Sequence, residues 1–318
     1  RLSDFTTASK TQFQNRDVKF IGINVASRDT HKQGALPLMG DARATLNKLH
    51  DMLTEEGYSV SSGYKETVQS LKAAWNKEAA RIVGSQKESN ITQGELIGLV
   101  NEFMSEKDTV VCAAGSLPGD MHKLWRVENG DQYHMEYGYS CMGYEVSGGL
   151  GAKLALDQGE VYVIVGDGSY LMLHSEFLTT LKEHVKINVV LLDNSGYQCI
   201  KNLQMAHGSV GFGNEFRHRE ESTGRLTGEI TPVDFKKYAE ALGVKAFHAE
   251  NVDEFREALQ AAKQEKISTL IEVKVLPGTM TDGYHSWWRV GVPEVSNSKI
   301  TTDSHQKMAE EIRKARAY

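Results

Sequence analysis

Two short runs, Gly166-Asp167-Gly168-Ser169 and Asn194-Ser195-Gly196-Tyr197, combine residue types that suit a hard cation and an anion. Magnesium takes oxygen ligands in an octahedron and is usually held by one or two protein groups, with phosphate and water completing the shell. Asp167 can give a carboxylate, Asn194 an amide oxygen and Gly196 a backbone carbonyl. Two oxygens of a diphosphate and a water would fill the remaining positions. Gly166 and Gly168 let the backbone approach a ligand, while Ser169 and the amides of a helix opening there face the anion.

Each run follows directly on an apolar, β-branched stretch, 161–165 and 187–193, which the pattern predicts as strands. A right-handed crossover makes those strands parallel, so Asp167 and Asn194 end on the same edge of the sheet. Gly-Asp-Gly alone is a common turn. The strand before it, the helix after it and the second strand ending in Asn-Ser-Gly-Tyr make the compound pattern specific.

The surrounding elements fit such a sheet. Helix 93–104 leads to strand 109–113 and the loop 114–120, and a glycine-punctuated helix covers 143–156. Helix 170–184, helix 234–242, strand 245–249, helix 252–263 and strand 269–275 continue the alternation. The fold class is therefore α/β, a parallel sheet with helices on both faces. Ligands of such sheets bind beyond the carboxyl ends of the strands, here the loops 114–120, 166–169, 194–200 and 276–285. Earlier, residues 18–25 read as a strand and 41–53 as a helix capped by Asp41, followed by a polar stretch with a helix over 68–83.

The chain has 318 residues, 40% hydrophobic and 25% charged, with a formal net charge of −6. An acidic balance argues against nucleic acid and means that a bound diphosphate needs local neutralisation, which a metal supplies. Cys112, Cys141 and Cys199 form no CxxC pair, so neither zinc nor a disulfide framework is indicated, and reduced thiols in a reducing, cytoplasmic compartment are the expectation. No apolar run is long enough to span a bilayer, so no membrane is expected. The opening, Arg1-Leu2-Ser3-Asp4 followed by a strand with nothing before it to pair with, reads as a start in mid-domain.

The Gly166–Ser169 run with Asp193-Asn194 closely resembles the motif of the thiamine diphosphate enzymes, whose usual ending is a pair of asparagines. The resemblance implies that Met142, in Cys141-Met142-Gly143-Tyr144, props the cofactor into its bent shape. Its N–H and the carbonyl of Ser140 would meet the aminopyrimidine, and Gly115-Ser116 would form a second diphosphate loop. Gly166, Asp167, Gly168, Ser169, Asn194, Gly196 and Tyr197 complete the expected site, with Asp167, Asn194 and Gly196 on magnesium. Further segments, 3–6, 114–120, 136–146, 207–209 and 279–284, resemble the C-terminal half of that family's ring-opening hydrolases of myo-inositol breakdown. This implies hydrolytic C–C cleavage of a cyclic polyol 1,2-dione, with the cofactor as electron sink.

It also implies a homodimer or homotetramer and a pyrimidine-binding half, carrying the activating glutamate, N-terminal to residue 1. Residues 1–53 would end a central α/β domain, 54–92 connect, 93–285 form the diphosphate-binding domain and 286–318 a tail. An acid that follows the Gly-Tyr in pyruvate decarboxylases is replaced here by Gln198-Cys199-Ile200-Lys201. A carboligase of the acetolactate-synthase kind and a non-catalytic α/β module remain as alternatives.

Several residues keep two readings. His174 and Glu176, at i and i+2, point to different helix faces, which favours a packed histidine over a metal ligand. His207 opens the glycine-rich segment Gly208–Gly213, either a lid or a plain surface loop. Trp287 and Trp288 are either buried packing or a cover for the site, with Tyr284 and His285 as polar contacts.

Overall fold

The structure is a computed structural model and describes residues 3–84 and 90–316. It divides into two compact units, Arg1–Ala74 with Asp282–Tyr318, and Trp75–Thr281. In the first unit helix α1 (Asp4–Thr7) is followed by strand β1 (Ile21–Asn24), helix α2 (Ser27–Thr30), strand β2 (Leu36–Met39) and helix α3 (Ala42–Glu55). Strand β1 is shorter than the predicted 18–25, and its partner comes after it: Ile21 sits opposite Leu36 in a parallel pair. Pro37 inside β2 hides that strand from pattern reading. Asp41 caps α3 as expected, its Oδ1 accepting from the amide of Ala44 at 2.9 Å.

Helix α4 (Ser62–Val83) starts six residues before the expected 68, and the division between the units falls within it. Its last turn packs on α5 (Gln93–Phe103) where that helix carries glycine: a Cβ on Gly98 would lie 2.1 Å from Val83 Cγ1. Thr92 and Glu95 form the capping box that starts α5.

The second unit then alternates strand and helix. In order come β3 (Thr109–Cys112), α6 (Leu117–Leu124), β4 (Tyr133–Met135), α7 (Tyr144–Ala155), β5 (Val161–Gly166), α8 (Asp167–Tyr170) and α9 (Glu176–Lys182). There follow β6 (Asn188–Asp193), α10 (Gln198–Ala206), α11 (Phe235–Ala241), β7 (Lys245–Ala249), α12 (Val252–Gln264) and β8 (Thr269–Lys274). The strands form a six-stranded sheet in the order β4-β3-β5-β6-β8-β7, all pairs parallel. The central strands carry apolar residues on both faces because both are covered. Tyr162, Ile164, Val190, Leu192, Ile271 and Val273 join one core with residues of α5, α6 and α12. Val161, Val163, Val165, Val189 and Leu191 join the other with residues of α7, α9 and α11.

This arrangement decides where a ligand can sit. After β3 the chain turns to α6 on the first face, and after the adjacent β5 it turns to α9 on the second. Neighbouring strands whose connections diverge leave a crevice at their carboxyl ends, the switch point at which such sheets bind ligands.

Two expectations need correction. The loop 114–120 is shorter, since α6 begins at Leu117 with a proline in its first turn, where a missing N–H costs nothing. The predicted helix 170–184 is two helices separated at 171–175. Tyr170 is fully buried while Leu171, Met172 and Leu173 are exposed, so the four apolar residues do not share one helix face. Helix α13 (Lys299–Lys314) lies in the first unit, within the segment expected as a tail.

Candidate functional site

Asp167 is the first residue beyond β5 and is completely buried. Its Oδ2 accepts from the amides of Asn194 (3.1 Å) and Gly196 (3.0 Å), and its Oδ1 from that of Gly168 (2.6 Å). The carboxylate thus folds the turn after β6 around itself. Ser195 at φ +61 and Gly196 at φ +145 make the turn sharp enough. A side chain at Gly196 would also strike Asn214, whose carbonyl lies 2.3 Å from the Cβ position. Gln198, absent from the expected site, locks the turn by donating from Nε2 to the carbonyl of Asn194 at 3.0 Å.

Within this turn the side-chain oxygen of Asn194 is buried and has no hydrogen-bond partner. Buried polar atoms are normally paired, because leaving one unmade costs about 1–3 kcal/mol. Among the described residues no three His, Cys, Asp or Glu side chains gather as a metal cluster. A cation here would rest instead on one carboxylate, this amide oxygen and backbone carbonyl oxygen.

The glycines of the first run have distinct causes. Gly168 lies under the Tyr197 ring, whose Cε1 is 2.4 Å from where a Cβ would be. Gly166 has φ −78, and among the described residues no atom beyond its chain neighbours lies within 4 Å of its Cβ position. Nothing in the chain itself requires glycine at that position. Gly115 is likewise open in front but sits at φ +84, where glycine is favoured.

The remaining loops converge on a residue that the sequence offers no reason to choose. Glu145, in the first turn of α7, is 1% exposed. Its carboxylate accepts from the amides of Ala114 and Gly143, each at 3.1 Å, and from the Ser169 hydroxyl at 2.8 Å. The Ser169 oxygen in turn accepts from the Gly143 amide at 2.8 Å. The hydroxyl proton expected to face an anion is therefore directed at Glu145.

Around Met142, Ser140 has φ +55, and Glu136 accepts from the amides of Tyr139 and Cys141 at 3.0 and 2.8 Å, so the loop is held from within. The Met142 side chain is exposed. Ser116 Oγ donates to Gln93 Oε1 at 3.1 Å, and Gln93 Nε2 donates to buried Asp120 at 2.6 Å. Asp120 also accepts from Thr281, which fastens the segment after β8 to the first turn of α6.

The electrostatics of this edge are acidic. Burial, helped by the charge of Asp193, pushes the Asp167 carboxyl up to about 7, against the lowering effect of its three amide donors. Burial also raises the Glu145 and Asp120 carboxyls from their ordinary values, against the hydrogen bonds that lower them. Lys274 pairs with Asp193 and, at 3.0 Å, with Glu272, while Lys123 lies 3.9 Å from Asp120. Among the described residues no cationic side chain pairs with Asp167.

The other singled-out residues are accounted for as follows. His174 bonds through Nδ1 to the Tyr170 carbonyl (3.1 Å) and through Nε2 to the Tyr238 hydroxyl (2.7 Å). Both nitrogens are used, as expected of a packed histidine. His207 ends α10 with Nδ1 2.7 Å from the Leu203 carbonyl. From there the glycine-rich segment returns to the site, where the Tyr197 amide donates to the Asn214 carbonyl (2.7 Å) and the Phe216 amide to that of Ser195 (3.0 Å). Tyr284, His285, Trp287 and Trp288 belong to the first unit, in which Trp288 meets the Phe5 ring edge-on at 4.6 Å. Cys112 is buried, Cys141 exposed and Cys199 half-buried, and all three are free thiols. No described helix is long and apolar enough to cross a membrane.

Comparison with known proteins follows the same edge of the sheet. The family described as "Thiamine pyrophosphate enzyme, C-terminal TPP binding domain" matches residues 113–273. The 3D-(3,5/4)-trihydroxycyclohexane-1,2-dione hydrolases of Clostridium botulinum (strain Alaska E43 / Type E3) and Clostridium tetani (strain Massachusetts / E88) are each 44% identical to the chain. A third relative, the 3D-(3,5/4)-trihydroxycyclohexane-1,2-dione hydrolase of Bacillus thuringiensis (strain Al Hakam), is also 44% identical. Each of these alignments covers 100% of this chain and 53% of the relative, so the chain spans about half the length of the curated relatives it matches. Among solved structures, the Rhodococcus jostii RHA1 thiamine diphosphate-dependent 4-hydroxybenzoylformate decarboxylase superposes with a TM-score of 0.50 at 19% identity. That match takes in 60% of this chain and 34% of the other, and is a likeness of fold.

Proposed function

We propose, from the premise that this chain belongs to the thiamine pyrophosphate enzymes, that its β5–β6 edge holds a magnesium ion and the diphosphate of that cofactor. The observation that carries the metal is the buried, partnerless amide oxygen of Asn194 in a turn folded around Asp167. A hard divalent cation accepts just such oxygens and tolerates few protein ligands when phosphate and water supply the rest. Asp167, Asn194 and the Gly196 carbonyl are the assigned ligands. The ion also offsets the acidic character of the edge, which otherwise disfavours an anion.

The space in front of Gly166 and Gly115 supports a close-lying diphosphate, with Gly168, Ser169, Ser116 and Tyr197 building its walls. Ser140 and Met142 are assigned to the aminopyrimidine. Ser140 would offer its carbonyl, Met142 its amide, and the exposed Met142 side chain a prop for the rings.

The proposed reaction is hydrolytic C–C cleavage that opens a trihydroxycyclohexane-1,2-dione, in keeping with the names of the 44% identical relatives. Bound thiamine diphosphate supplies the electron sink for that bond breaking. This chain's residues anchor the diphosphate end and hold the metal. The glutamate that activates the cofactor is assigned to a separate pyrimidine-binding part, and the active assembly to a homodimer or homotetramer in inositol catabolism.

Calorimetry of residues 1–318 with magnesium and thiamine diphosphate, singly and together, tests the site. Cofactor heat that requires magnesium, and that Asp167→Ala abolishes, is expected. Equal cofactor affinity without the metal would overturn the assignment. Product analysis of the assembled enzyme with a cyclic dione and with pyruvate separates ring opening from carboligation.

A further inference from the structure

We infer that Glu145 is a positioning residue that holds the two pyrophosphate-side loops and the Met142 turn in one register through its three hydrogen bonds. The inference deepens the proposed cofactor site and rests on that reading. Its three donors, Ala114, Gly143 and Ser169, lie 31, 2 and 24 positions away in sequence and belong to three separate segments of the site. Each is a proposed cofactor residue or the neighbour of one: Ala114 precedes Gly115, Gly143 follows Met142, and Ser169 closes the run from Gly166.

The chemistry favours a carboxylate over a shape-filling residue. A buried acid without a cation is costly, and a well-packed apolar side chain of similar volume is often neutral or better for stability. An ionised carboxylate offers acceptors only, on both oxygens. Here Oε1 faces the Ala114 amide and Oε2 faces both the Gly143 amide and the Ser169 hydroxyl. A glutamine would have to aim its NH2 group at one of those donors. Because the Ser169 hydroxyl also accepts from Gly143, it closes a small ring of hydrogen bonds behind the site. Gly115 at φ +84 and Gly143 at φ +86 flank the ring, and both make turns that an unanchored loop would relax.

The test is Glu145→Gln, isosteric but unable to serve all three donors. Magnesium alone should bind as in the wild-type chain, since Asp167, Asn194 and Gly196 are untouched. Thiamine diphosphate with magnesium should bind at least about tenfold more weakly, the scale of one lost charged hydrogen bond. The Ala114 and Gly143 amides should exchange with deuterium faster than in the wild-type chain. A role confined to stability would lower the melting temperature and leave the cofactor affinity unchanged, and that result overturns the inference.

Should Glu145→Gln not fold, Ser169→Ala decides, because it removes one of the three links while keeping the carboxylate. It should spare magnesium and speed deuterium exchange at the Ala114 amide, which bonds Glu145 and not Ser169, and unchanged exchange there overturns the inference. Absence of cofactor heat in the wild-type chain instead overturns the parent reading.

Discussion

Replacing Asp167 by asparagine should make the metal-free protein more stable at neutral pH and the magnesium-bound protein impossible to form. Asp167 is fully buried, and its carboxyl is raised to about 7 by that burial and by Asp193. An unfolded aspartate titrates near 3.9. The folded state therefore binds the extra proton between those values, and stability falls as pH rises through that window. The penalty is nearly absent below about pH 4, is on the order of 1–2 kcal/mol at pH 5 and levels at roughly 4 kcal/mol above pH 7. Asparagine carries no such charge but points its NH2 group at one of the amide donors that Asp167 accepts from, a loss of about 1–2 kcal/mol.

The net expectation at pH 8 without metal is a variant about 2–3 kcal/mol more stable than the wild type, with the gain vanishing near pH 5. Magnesium at about 100 times its Kd should add about 2.7 kcal/mol to the wild type alone. Its affinity should climb with pH to about 7, because the proton must leave for the ion to bind. Urea denaturation of both proteins from pH 4 to 8, in EDTA and in magnesium, reads all of this. The difference between the two proteins removes the titrating groups other than Asp193, whose charge acts on Asp167. A difference that does not grow with pH, or magnesium stabilisation surviving in Asp167→Asn, would refute the reasoning.

Other substitutions separate folding from binding. Gly166→Ala meets, among the described residues, no atom beyond its chain neighbours within 4 Å and keeps an ordinary φ. It should leave the melting temperature level or slightly raised while weakening thiamine diphosphate in calorimetry. Gly168→Ala drives a Cβ into the Tyr197 ring, which should cost about 1–3 kcal/mol. In a Tyr197→Ala background that cost should shrink, and an undiminished cost in the double variant would contradict the packing. Lys274→Met takes the lysine from the buried carboxylates of Asp193 and Glu272, and Glu272 keeps His248, so with a half-exposed lysine the cost should be about 1–3 kcal/mol. Adding Asp193→Asn should recover part of the loss, and strictly additive urea midpoints would show that the pair does not act as one.

What the sequence makes legible at this site is whatever the chain settles locally. Val161–Val165 reads as a strand because helices cover both faces of the sheet, which leaves no polar alternation along it. Asp167 and Asn194 read as partners because each stands one step past a strand end, and the parallel pairing of β5 with β6 carries them to one edge. The Asp167 carboxylate then meets the Asn194 amide without any further residue having to be named. Glu145, Asp120 and Gln198 carry no comparable signal.

Asp120 meets its partner Thr281 across 161 positions, and Glu145 meets Ala114 across 31. No local period or spacing announces such contacts, since only the assembled sheet edge brings their loops together. The same cause hides the contact that Ser169 makes with Glu145. A serine at the mouth of a Gly-Asp-Gly turn looks poised for an anion, yet a buried carboxylate behind it needs a third donor more urgently than a solvated ligand does. With that hydroxyl bonded to Glu145, the proposed diphosphate would meet the backbone at the open glycines 115 and 166.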